Sequence, residues 1–219
     1  MPATRAAAWS WVGADKATIQ AAATVLVDMP LSDMHGTLYR AVYEKYLHPA
    51  TGDPEPLYYR GSLSGRRYTP RGGPAGLYLA LDPATPVAEL RNVVFTGDVI
   101  TSVVEHDPVL TVSIVATVTR VLDLTDSAVT RSLKLTKKLL RAHWEVEMDN
   151  ALAGRGPMPA TQLLADAAYV TGLITGIKYP SARTRFGKNL VVFPDRLNAT
   201  RGDDLLVVDS TNRYAQHLP

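Results

Sequence analysis

Two stretches of the chain carry positive charge without a single acid. Arg60, Arg66, Arg67 and Arg71 stand between Pro56 and Leu81, and Lys178, Arg183, Arg185 and Lys188 stand between Ala167 and Pro194. Both mix these cations with serine, tyrosine and glycine, a combination suited to phosphate oxygens, because arginine offers a two-pronged donor and small residues admit close approach. A diphosphate is a natural ligand for such a pair; the plain alternative is two solvated basic loops. Glu89 follows the first stretch, near the start of a helix predicted over 83–95, where the macrodipole favours the ionised form. A carboxylate among arginines either neutralises them or stabilises positive charge developing on a bound anionic substrate.

Other chemistries find little support. Neither GxxxxGK[ST] nor GxGxxG occurs, so a nucleotide loop of either common kind is not expected. No serine sits in GxSxG. His35, His48, His106, His143 and His217 are scattered without ligand spacing, and cysteine is absent, so no metal site, thiol nucleophile or disulfide is expected.

The elements that must position these residues follow from pattern. Lys16 to Val27 is rich in helix formers and is closed by Pro30, so residues 1–36 read as an N-terminal helical extension, an appendage or lid. TLYRAVY after Gly36 predicts a strand, the proline-rich 48–56 a loop, and GLYLAL at 76–81 a second strand. Asp82 is placed to cap the helix over 83–95, with Val87, Leu90 and Val94 facing the core. Val109 to Leu124 is dense in β-branched residues and predicts a long central strand. Helical character follows over 126–173, broken at 154–159, with a second helix from Ala160 to about Gly172; short strands at 176–179, 189–193 and 204–208 finish the chain. Strands before and after helices, without a βαβ rhythm, predict an α+β fold, one domain with a mixed central sheet and flanking helices.

At 219 residues, 46% hydrophobic and 20% charged, the chain is long enough for one sizeable core, and its net charge of +2 is too small to imply a nucleic-acid coat. No run approaches the roughly 18–20 apolar residues of a membrane span, and the apolar start is too short for a secretory signal, so a cytoplasmic protein without membrane partners is expected.

Three separated blocks are similar to the RES domain, the family named for its Arg, Glu and Ser and found as the toxin half of bacterial Xre-RES toxin–antitoxin pairs. LYRAV supplies Arg40; SGRRYTPRGG followed by GLYLALDPATPVAEL supplies Arg67, Tyr68, Tyr78 and Glu89; YPSARTRFGKNLVVF supplies Ser181 and a strand led by Asn189. The resemblance covers about 37–96 and 176–208 and implies a domain over 37–219 with a fold similar to the ADP-ribosyltransferases. It implies NAD⁺ as substrate rather than cofactor, an enzyme that consumes it as glycohydrolase, phosphorylase or mono-ADP-ribosyltransferase, and restraint by an Xre-type antitoxin. The acceptor, whether water, phosphate or a protein side chain, stays open.

On that resemblance Glu89 stabilises the ribosyl cation, Arg40 and Arg67 clamp the diphosphate or ribose, and Tyr78 stacks on nicotinamide. Ser181 orients the sugar or Glu89 rather than attacking, since no base stands at a fixed spacing from it; Tyr39, Tyr68 and Asn189 shape the pocket. Charge predicts that the antitoxin inserts a segment between the two basic stretches. A different class of reading is a non-catalytic nucleic-acid-binding module using those stretches with Tyr58, Tyr59, Tyr68 and Tyr179 interleaved.

Overall fold

The long strand expected from β-branched density is β5 (Val109–Asp123), and its alternation is one-sided: Val112, Ile114, Ala116 and Val118 are buried. The computed structural model describes residues 16–47, 55–57, 59, 65–90, 93–96, 99–103, 108–209 and 213–219. Residues 1–15, Arg60, Tyr58 and most of the proline-rich loop lie outside them.

β5 pairs antiparallel with β1 (Ser32–Tyr43) along nearly all of β1, and with β8 (Asp204–Val208). β1 also meets β2 (Leu77–Ala80) through Tyr39 and Ala80. β2 pairs with β7 (Lys188–Val192), β7 with β6 (Gly176–Pro180), and β6 returns to β5 as the parallel pair of this sheet. Five strands therefore close a ring, β1-β2-β7-β6-β5, with β8 and β9 (His217–Leu218) continuing outward from β5. β3 (Val93–Thr96) and β4 (Val99–Val103) form a separate hairpin.

The two faces of this sheet carry two cores. Leu38, Leu77, Leu79, Ile114, Leu190 and Val192 share one cluster. On the other face, Ile177, Tyr179, Val191 and Phe193 pack beneath helices. Those helices are α3 (Ser127–Ser132), α4 (Lys137–Leu140), α5 (Trp144–Leu152) and α6 (Ala160–Val170), so the helical stretch expected from 126 to 173 is four helices. The sheet is mixed and the architecture α+β, as the pattern predicts.

Three readings change. Helix α1 (Lys16–Leu26) is present, but it is built into the core: Ala22, Ala23 and Leu26 are buried in the cluster that holds α6. β1 starts at Ser32, ahead of Gly36. The helix expected over 83–95 is α2 (Ala84–Leu90), and 93–96 is strand instead. The run Val93, Val94, Phe95, Thr96 suits a strand; Thr85, rather than Val87 or Leu90, is the buried residue of α2.

Candidate active site

Asp82 caps α2 as expected. Its Oδ1 accepts from the backbone N–H groups of Ala84 and Thr85 at 3.1 and 2.9 Å, and its Oδ2 accepts from the Thr85 hydroxyl at 2.7 Å. The helix is short, and Glu89 is its next-to-last residue. The macrodipole there points its negative end at the carboxylate and cannot be what favours the charge. Hydrogen bonds take that role: Ser181 Oγ donates to Glu89 Oε1 at 2.6 Å, and Asn189 Nδ2 donates to the same oxygen at 2.9 Å. Oε2 accepts nothing from the described residues.

Ser181 and Asn189 flank the turn between β6 and β7. The fully buried Ser181 hydroxyl accepts from the N–H groups of Arg183 and Thr184, both at 3.0 Å, while it donates to Glu89. One donor and two acceptor sites are thus all engaged, which makes Ser181 a clamp on Glu89. The Ser181 N–H donates to the Gly187 carbonyl at 2.8 Å and closes the turn. Thr184 Oγ1 lies 3.0 Å from Thr85 Oγ1, so the turn is fastened to α2. A side chain at Gly187 would collide with both threonine hydroxyls.

Across the sheet, Tyr39, Ala80, Asn189 and Tyr179 stand in register on four adjacent strands. Residues directly opposite share a face, so Tyr39 and Tyr179 lie on the face of Asn189 and Glu89. Tyr78 lies on that face too, one pleat along β2. Its hydroxyl accepts from the Tyr68 N–H at 3.0 Å and meets Thr69 Oγ1 at 3.1 Å, and burial pushes its pKa up to about 12. Tyr68 is wholly buried, its ring 4.3 Å from that of Tyr179, and belongs to the core beneath the site.

The two predicted arginines part company. Arg67 sits at the tip of the turn closed by Arg66 and Thr69, and its Nη1 donates to the carbonyls of Leu140 and Ala142 at 3.1 and 3.0 Å, tying that turn to the end of α4. Arg40 neighbours Leu38 and Val42 by alternation and is opposite Val112, so it faces the other core, away from Glu89. Burial lowers its pKa to about 10. Lys178, counted in the second basic stretch, is paired with Asp123 at 2.7 Å.

Sequence reasoning passed over Thr85, Thr184 and Gly187, which carry no charge signal, and named Tyr179 only in the nucleic-acid-binding alternative. It also missed a third acid-free basic stretch, Ser127 to Ala142, with Arg131, Lys134, Lys137, Lys138 and Arg141.

The family model for the RES domain matches residues 37–210. The chain belongs to the RES domain family. Among solved structures, this RES domain protein is similar to the crystal structure of the M. tuberculosis MbcT–MbcA toxin–antitoxin complex, with 16% identity, a TM-score of 0.58, and coverage of 90% of this chain and 91% of that chain. The likeness is one of fold. No curated protein matches the sequence. No helix among the described residues is long and apolar enough to cross a membrane.

Proposed function

We propose that this RES domain protein is the toxin of a toxin–antitoxin pair and that it consumes NAD⁺ by breaking the nicotinamide–ribose bond. The observation that carries the reading is Glu89: one carboxylate oxygen held by two neutral donors, the other open to a ligand. When the bond from ribose C1′ to nicotinamide nitrogen breaks, the electron pair leaves with nicotinamide, which departs neutral, and positive charge grows on the sugar. A fixed carboxylate beside it stabilises that charge. A ribose hydroxyl donating to Oε2 would bond more strongly as the charge grows, and this difference between ground and transition state is what lowers the barrier.

The surroundings suit that role. Ser181 and Asn189 fix the carboxylate without competing cations, so its charge is not neutralised before substrate arrives. Tyr78 has its hydroxyl anchored, which leaves a rigid ring to stack on nicotinamide. Arg67 braces the α4 side of the site through backbone carbonyls, and Arg40 acts from the opposite face of β1 as a support of that strand. The catalytic unit is residues 37–219, working on the cytoplasmic NAD⁺ pool, with α1 of the N-terminal extension as part of its core. The fold neighbour is a toxin in complex with its antitoxin; an Xre-type antitoxin that covers the basic surface around Ser181 is the corresponding partner here. ADP-ribose passes to water, phosphate or a protein side chain.

The test is release of nicotinamide from NAD⁺ by the purified protein, followed by chromatography. Glu89→Gln keeps the volume and removes the charge, and turnover should fall by about 10²–10³-fold with the melting temperature retained. Folded wild-type protein that leaves NAD⁺ intact, with and without lysate as acceptor, overturns the reading.

A further inference from the structure

The third basic stretch faces the β6–β7 turn across a cavity of about 270 Å³. Lys137 of α4 and Arg141, the residue that caps its C-terminus, line one wall, Arg185 and Lys188 line the turn side, and the hydroxyl-bearing Ser127 and Thr130 of α3 complete the lining. Among the described residues no carboxylate lines it and none of the four cations forms an ion pair. Arg141 Nη2 donates to the Arg185 carbonyl at 3.3 Å, which draws one wall onto the other. Four like charges gathered around one small cavity repel one another, and a bound anion relieves that repulsion. The cavity also borders the turn that holds Ser181: Gly187, whose carbonyl accepts from the Ser181 N–H at 2.8 Å, lines it together with Pro180 and Lys188, register partners at the mouth of the turn.

We infer that this cavity is a phosphate-binding subsite formed by Lys137, Arg141, Arg185 and Lys188 with the hydroxyls of Ser127 and Thr130. Ammonium, guanidinium and hydroxyl donors converging on one space match the tetrahedral oxygens of a phosphate. The family resemblance gives the diphosphate to Arg40 and Arg67. In the structure Arg67 holds the α4 carbonyls with Nη1, and Arg40 points to the opposite face, whereas the four cavity cations line one space at the Ser181 turn with no acid partner among the described residues. The phosphate has two sources: the diphosphate within NAD⁺, which rests on the function proposed above, or free orthophosphate, which does not.

Calorimetric titration at fixed ionic strength separates them, with ADP-ribose as one probe and sodium phosphate as the other. The proteins are wild type, Lys137→Gln with Arg141→Gln, the opposite-wall pair Arg185→Gln with Lys188→Gln, and Arg155→Gln as a distant charge control, each checked for an unchanged melting curve. Loss of charge-assisted bonds should weaken binding by about tenfold or more in both double variants and leave the control at wild-type affinity. Weakening for ADP-ribose assigns the subsite to the dinucleotide; weakening for phosphate alone assigns it to free phosphate. If ADP-ribose binds wild type and both double variants equally and phosphate shows no loss, the subsite is overturned while NAD⁺ consumption stands. If phosphate binding is lost in the variants while wild type neither binds ADP-ribose nor releases nicotinamide, the subsite stands and the NAD⁺ reading fails. Wild type that binds neither probe overturns the subsite.

Discussion

The hydroxyl of Thr184 meets the hydroxyl of Thr85 at 3.0 Å, and through this contact the turn that carries Ser181 is locked to the helix that carries Glu89. Thr85 is buried and bonds Asp82 as well, so the helix cap, the helix and the turn form one hydrogen-bonded chain. The distance between Ser181 and Glu89 is therefore set by residues that never touch the carboxylate.

Thr85→Val keeps the shape and removes the hydroxyl, leaving Thr184 and one Asp82 oxygen short of a partner. A cost of about 1–3 kcal/mol is expected, read as a lower melting temperature, with turnover falling further than that loss of folded protein explains. Gly187→Ala drives a methyl group into both hydroxyls and should lower both readouts more than Thr85→Val. Equal melting curves for wild type and Gly187→Ala would show that the turn does not depend on this contact.

Arg67 offers a second separation of structure from chemistry. Its Nη1 bridges two carbonyls at the end of α4, where a cation also meets the favourable end of the helix dipole. Arg67→Lys keeps the charge but lacks the planar fork. We expect Arg67→Lys and Arg67→Ala both to destabilise, the alanine by about 1.5–3 kcal/mol in urea denaturation. A lysine variant as stable as wild type would limit the role of the guanidinium to charge.

The split between what was legible in the sequence and what was not follows from the reach of each signal. β5 was legible because β-branched density is local, and Asp82 because a cap needs only the residues that follow it. Glu89, Ser181 and Asn189 were found as separate blocks, but their union spans some 92–100 positions and depends on β7 lying between β2 and β6. The dipole argument for Glu89 failed because it took the helix to run to residue 95; ending at Leu90 moves the carboxylate from the first half to the last turn. Arg40 was read from its block without its strand face, and one step along β1 separates it from the face of Tyr39. Helix α1 reads as an appendage because its alanines look featureless; small side chains let it approach α6 closely.

Asp166 gives the fold a pH signature independent of the active site. It lies on α6 between the wholly buried Ala165 and Ala167, and burial raises its pKa to about 6. A carboxyl with a folded pKa above its unfolded value favours the folded state when protonated; that contribution is complete below about pH 4 and is lost as pH rises through about 6. Asp166→Asn should therefore raise the melting temperature at pH 7.5 and match wild type at pH 4. A gain of the same size at both pH values would trace it to packing rather than to the charge.

Ser181 and Asn189 both donate to Glu89 Oε1, so the reaction should report on them only through that carboxylate. Asn189→Ala removes one neutral donor, and a loss of about 10–10²-fold in turnover is expected; Asn189→Asp sets a second carboxylate against the first and should lose more, because one of the two must then take up a proton. Ser181→Ala costs the loop its two N–H partners along with the bond to Glu89, and should lower both the melting temperature and turnover. Its decisive combination is with Glu89→Gln. If Ser181 acts by holding Glu89, adding Ser181→Ala to Glu89→Gln removes little further activity, and the double-mutant cycle shows a coupling energy close to the whole effect of Ser181→Ala alone. A nucleophilic serine would behave differently: Ser181→Ala would abolish turnover in either background, and a ribosylated Ser181 would be trapped in rapid-quench mass spectrometry. Full additivity of the two losses, with such an adduct present, would replace the clamp with covalent catalysis at Ser181.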